Sequence, residues 1–114
     1  MRFARGRRPN PGGKATSKLE AEYGKHLEIM KRAGEIVDYK HQPLKLRLAD
    51  LTYYSPDYAV LHNDDSMAFV EVKSYWEDDA RVKIKVAAEQ FPWFRFVAAE
   101  RRRKADPWTL KEFS

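Results

Sequence analysis

Three features of this 114-residue chain predict an α/β fold with an α-β-β-β-α-β core, a mixed sheet flanked by helices. Two stretches with apolar residues three and four apart bracket a series of short alternating or continuous apolar runs. A polar turn, Asn63-Asp64-Asp65-Ser66, separates two of those runs at hairpin distance. A last apolar run follows the second helical stretch, which favours a parallel return to the sheet.

Ser17 to Ala33 predicts the first helix. Leu19, Tyr23, Leu27 and Met30 form one apolar stripe, and Gly34 follows where a left-handed cap is needed. Glu20 stands three residues after Ser17, so it fits the glutamate of a capping box; a carboxylate presented to a site is its other open role. Glu35 to His41, Leu44 to Leu48 and Leu51 to Leu61 then predict three strands. Leu44, Leu46 and Leu48 alternate with Lys45 and Arg47, as on a half-exposed strand, and Ala49-Asp50 suits a turn. Pro56 cannot donate to a ladder and is expected at an edge or bulge, a break that can aim a carboxylate out of the sheet.

Met67 to Ser74 is a fourth strand, and its nearly continuous apolar character predicts a central position. The second helix is expected from Asp78 to Phe91, with acids in its first turn to suit the helix dipole. Its buried face is Ala80, Ile84, Ala87, Ala88 and Phe91, widened by Val82 and Val86, and Pro92 ends it. Trp93 to Ala99 predicts a strand parallel to an earlier one, and Pro107-Trp108-Thr109-Leu110 a short packing turn.

The composition, 43% hydrophobic and 34% charged, suits one globular domain over 15–114 preceded by a flexible basic arm over 1–14. Without cysteine, thiolate metal sites and disulfides are excluded. No apolar segment reaches membrane-span length and no signal-peptide pattern stands at the basic N-terminus, so an intracellular protein is expected. The net charge of +5 is unevenly spread: residues 1–14 hold five bases and no acid, and residues 101–114 five bases against two acids, which leaves 12 bases and 15 acids between. Basic ends on a slightly acidic body suit a protein that grips polyanions and holds cations centrally, although a solubilising tail gives the same numbers.

Two acids and a lysine interrupt the runs around the polar turn. In a strand, Glu71 and Lys73 share a face, and a hairpin closed at 63–66 carries Asp57 back beside them. Two carboxylates and an ammonium at a sheet end suit a hard divalent cation and a phosphate. A structural Glu71–Lys73 ion pair with a turn-forming Asp57 is the plainer reading. His26, His41 and His62, one per element, are expected at the surface or satisfied in the core. Phosphate-binding glycine loops, zinc spacings and nucleophilic triads have no counterpart in the chain.

With Pro56-Asp57 followed by Glu71-Val72-Lys73, the region 17–99 resembles the PD-(D/E)XK nuclease superfamily, whose core is the restriction-endonuclease-like fold. The chain is also similar to a family of short phage proteins placed in that superfamily, through Glu71-Val72-Lys73-Ser74, Asp78-Asp79-Ala80-Arg81 and Phe91-Pro92-Trp93-Phe94. This resemblance implies a phage-encoded, magnesium-dependent endonuclease working in the host bacterial cytoplasm, with manganese able to substitute. It further implies Asp57 and Glu71 as metal ligands, the Val72 carbonyl as a third, and Glu20 as the helix-one acid of junction-resolving branches. Lys73, kept cationic between two carboxylates, then orients water and stabilises the phosphorane. Arg5, Arg7, Arg8, Lys14, Arg81 and Lys83 are the expected DNA contacts. Branched or Holliday-junction DNA and a homodimer are implied by analogy; a nicking or linear-duplex nuclease in a larger phage machine, or a non-catalytic DNA-binding accessory, are the alternatives.

Overall fold

The computed structural model describes residues 15–76 and 78–114, so the arm over 1–14 with Arg5, Arg7, Arg8 and Lys14 lies outside the described residues. Elements run α1 (Lys18–Arg32), β1 (Asp38–His41), β2 (Leu46–Ala49), β3 (Thr52–Tyr54), β4 (Tyr58–Leu61), β5 (Met67–Lys73), α2 (Asp78–Gln90), β6 (Arg95–Glu100) and β7 (Thr109–Phe113). The main sheet has the order β1-β4-β5-β6-β7, and β2-β3 is a separate hairpin. With that hairpin set aside, α1 to β6 follows the predicted α-β-β-β-α-β order.

β5 is central, antiparallel to β4 and parallel to β6, as its apolar character and the intervening helix predict. The polar turn closes β4 on β5: Ser66 N–H donates to Asp64 Oδ1 at 2.9 Å, and Asp65 takes a positive φ of 69°. Asn63 Nδ2 donates to Gly34 O at 2.9 Å, which ties this turn to the end of α1. There Gly34 at φ 78° completes a cap in which Glu35 N–H reaches back to Met30 O at 2.8 Å.

Side chains alternate across β5 and split the core in two. Val70 and Val72 pack with Tyr23, Leu27 and Tyr58 on the α1 face, and Phe69 packs with Ile84, Ala87 and Phe96 on the α2 face. Phe69 and Phe96 are fully enclosed, each contributing about 1.5–3 kcal/mol of burial. That apolar packing on both faces offsets the cost of carrying a charged residue in the same strand.

Several boundaries differ from expectation. The run Leu51 to Leu61 is not one strand: it breaks at the buried Pro56, so β3 pairs with β2 while β4 enters the main sheet. A residue without an amide donor ends one ladder there and lets the chain change sheets. Leu44 is exposed and precedes β2, and Val82 projects into solvent because Ile84, Ala87 and Ala88 suffice to cover the sheet. Trp93 lies exposed in the turn before β6. Residues Thr109 to Leu110 open a fifth strand of the sheet rather than a packing turn, and the antiparallel β7 covers the edge of β6. Among the described residues no helix is long and apolar enough to cross a membrane.

Candidate active site

The strand registers gather several chain segments at one end of the sheet. β1 ends at His41 opposite the start of β4 at Tyr58, and β5 ends at Lys73 opposite Glu100, itself opposite the start of β7 at Thr109. The β4–β5 ladder begins at Tyr58 opposite Val70, so Asp57 stands one residue ahead of it, while Glu71, one residue past Val70, shares the α2 face of β5 with Phe69. Asp57 N–H donates to Val70 O at 2.9 Å, and Asp57 Oδ2 accepts from Val72 N–H at 2.7 Å. The aspartate therefore caps the entry of β4 and lies against the strand that carries Glu71.

Asp57 and Glu71 are 3% and 5% exposed. Lys73 Nζ lies 3.2 Å from Glu71 Oε2, with its side chain 32% exposed, so the ammonium stands between the buried acid and solvent. Tyr54 Oη donates to Glu71 Oε1 at 3.1 Å. Burial above all, and then the charges of Glu71 and Asp57, hold that phenol well above its ordinary pKa, so it remains a donor. A cavity of about 230 Å³ opens beside Glu71, lined by Tyr53, Tyr54, Ser55, Ala80 and Lys83. Of the two cations expected on α2, Lys83 thus lines the same cavity as Glu71. Arg81 lines a different cavity, with its guanidinium 5.7 Å from the Trp76 ring centre.

Glu20 arrives from the α1 side. Ser17 Oγ accepts from Glu20 N–H at 3.0 Å, which is the predicted N-cap, while the Glu20 carboxylate turns inward and is only 4% exposed. Its Oε2 lies 2.6 Å from His41 Nε2 and accepts from Gln42 Nε2 at 3.1 Å, so the side chain engages the end of β1 in place of the return bond of a capping box. Tyr58 Oη donates to the Glu20 carbonyl at 2.9 Å, and a Cβ at Gly24 would overlap that hydroxyl; glycine lets α1 settle this close. Burial first, then the charges of Glu20 and Asp57, push Tyr58 up to about 12. The charge of Asp57 thus acts on both the phenol that donates to Glu71 and the one that donates to the Glu20 backbone carbonyl.

Among the described residues no group of three or more His, Asp or Glu side chains is arranged to hold a metal ion. Glu20 keeps its own partners, and Asp57 and Glu71 are the buried carboxylates where β4 begins and β5 ends. His41 reads from the sequence as a surface or core histidine, and nothing in the local pattern marks Gln42, Tyr54 or Tyr58. Gln42 carries a signal only in hindsight: it precedes Pro43, which disfavours helical backbone, yet it adopts φ 45° and donates its N–H to Asp57 O at 2.7 Å. No family profile, curated protein or solved structure matches this chain.

Proposed function

We propose that this chain is a metal-dependent endodeoxyribonuclease of the PD-(D/E)XK kind, hydrolysing phosphodiester bonds in branched DNA. The observation that carries this reading is the trio at the sheet end: Asp57 and Glu71, both buried, with Asp57 bonded to the Val72 amide beside Glu71 and the Lys73 ammonium 3.2 Å from Glu71. Buried carboxylates are costly to ionise, and donors of the chain hold each of these: Tyr54 and Lys73 on Glu71, the Val72 amide on Asp57. The donor chemistry fits a hard divalent ion that keeps several of its waters: Asp57 and Glu71 would hold it, with the Val72 carbonyl as a further oxygen. When bound, magnesium supplies an acidified water and neutralises charge on the phosphate.

The chain's own groups do the positioning. The Tyr54 hydroxyl and the Val72 amide fix one oxygen each of Glu71 and Asp57, so neither carboxylate loses rotamer freedom at the moment of reaction. Lys73 stands where an ammonium can meet charge growing on a phosphoryl oxygen, and Lys83 offers a second cation to the incoming backbone. Cutting two strands symmetrically takes two such sites, so the proposed active unit is a homodimer.

A four-way junction and a linear duplex of equal length, each incubated with magnesium or with EDTA, test the reading. Wild-type protein should cleave the junction faster than the duplex, in magnesium only, and Asp57→Ala should lose at least about 10²-fold in rate, the scale of one transition-state electrostatic group. Faster cleavage of the duplex would remove the junction preference. Binding without cleavage would remove the enzyme and leave a DNA-binding accessory, and an undiminished Asp57→Ala would remove the metal-holding trio.

A further inference from the structure

We infer that the open groove at the carboxyl ends of β5 and β6 binds an unpaired, single-stranded segment of nucleic acid; that this segment belongs to the strand being cut rests on the nuclease reading above. The groove, about 680 Å³, has the size of a ligand cleft and is lined by Ser74, Tyr75, Trp76, Arg81, Arg102 and their neighbours.

Its charges do not cancel. Two acids border it, and both have partners: Glu100 accepts from Trp76 Nε1, and Asp106 accepts from Arg103 N–H at 3.2 Å with the Arg103 guanidinium 3.6 Å away. Of its three arginines, Arg101 is paired with Glu22 and lies 4.2 Å from the centre of the Trp108 ring. Among the described residues, Arg81 and Arg102 carry no ion pair, and the buried Arg101 Nε has no hydrogen-bond partner. The surplus is cationic: three arginines against two acids on the lining.

Tyr75 supplies the second requirement. It is 66% exposed, on the groove, where a large ring finds no core to join. Arginines for phosphates beside an exposed aromatic ring are the two elements of sequence-tolerant single-strand binding, in which bases stack on side chains while cations follow the backbone. Within a duplex the base faces are already stacked, so Tyr75 has a use only where the strand is unpaired. Position links groove and acids: Ser74 and Tyr75 directly follow Lys73, whose carbonyl accepts from Arg101 N–H at 3.2 Å.

The test is fluorescence anisotropy in EDTA, where no turnover occurs, with a labelled 12-nucleotide oligo-dT and a blunt duplex of the same length. Tyr75→Ala should weaken oligo-dT binding about tenfold and duplex binding far less, and Tyr75→Phe should restore it. Arg102→Ala should weaken oligo-dT binding and lower its salt slope by about 0.7. Circular dichroism checks that each variant is folded; both positions are exposed. Oligo-dT binding unchanged in Tyr75→Ala, equal losses on both ligands, or a wild-type preference for duplex would each overturn the groove. Loss of cleavage in Asp57→Ala is a separate readout, so either proposal can fail while the other stands.

Discussion

Glu71 and Glu20 reach the same end of the sheet from opposite faces and are held there by different means. Glu71 is a strand residue whose direction follows from the alternation along β5, and its partners Lys73 and Tyr54 lie 2 and 17 residues away in the chain. Glu20 is a helix residue. Its carboxylate meets His41 and Gln42, 21 and 22 residues off, only because α1 docks closely on Tyr58 through Gly24. Strand register thus sets one acid and helix docking the other. The charge of Asp57 raises both Tyr54, which donates to Glu71, and Tyr58, which donates to the Glu20 backbone carbonyl.

The largest expected effect separates the two acids by activity. Glu71→Gln removes a proposed metal ligand and should lower kcat/KM for magnesium-supported cleavage about 10²–10³-fold. Glu20→Gln keeps an acceptor for Gln42 and should cost roughly tenfold or less, about 1.4 kcal/mol of barrier. Equal losses would mean that both acids serve the reacting phosphate, and the contrast between them would collapse.

Stability comes next. Tyr54→Phe leaves Glu71 Oε1 without its buried hydroxyl donor, so unfolding in urea should show a loss of about 1–3 kcal/mol. Gly24→Ala drives a methyl group into Tyr58 Oη and should cost a similar ~1–3 kcal/mol by forcing α1 outward. The two differ in their second readout: Gly24→Ala should also mimic Glu20→Gln in cleavage, since the helix carries the acid. An unchanged urea midpoint in Gly24→Ala would show that docking tolerates the extra carbon and that Glu20 is held by something else.

The same contrast explains what the sequence made legible. Alternation, the 63–66 turn and the acids inside apolar runs lead to β4, β5 and the return of Asp57 to the strand that carries Glu71, because each depends on neighbours a few residues apart. α1 and α2 follow from their stripes for the same reason. The break at Pro56, the transfer of β3 to its own hairpin and the addition of β7 were not legible, since each depends on which distant strand the segment meets. His41 and Gln42 were missed on that ground too: nothing local to β1 announces a glutamate from a helix twenty residues earlier. Tyr54 lies close to Glu71 in space only through the cleft between the β2-β3 hairpin and α2, and no spacing encodes that.

The smallest effect is the one that tests the middle of the comparison. Burial raises both phenols first, and Asp57 adds to each: Tyr58 is pushed up to about 12 and Tyr54 well above 10. The folded state therefore keeps protons that the unfolded chain gives up above its phenol pKa of about 10. The sign follows: this stabilisation is complete below pH ~10 and is lost as pH rises toward 12 and beyond, so unfolding should become easier on alkaline titration. Removing the shared charge with Asp57→Asn should shift both tyrosines downward. Absorbance near 295 nm in Tyr54→Phe and Tyr58→Phe backgrounds, each compared with and without Asp57→Asn, reads the two separately, since the other four tyrosines, Tyr23 at about 12 among them, titrate in both backgrounds and cancel in the comparison. If the shift occurs only where Tyr54 remains, Asp57 belongs with Glu71 alone and Glu20 is an independent structural acid. If it occurs in both, one carboxylate couples the strand-set and helix-set halves of the site.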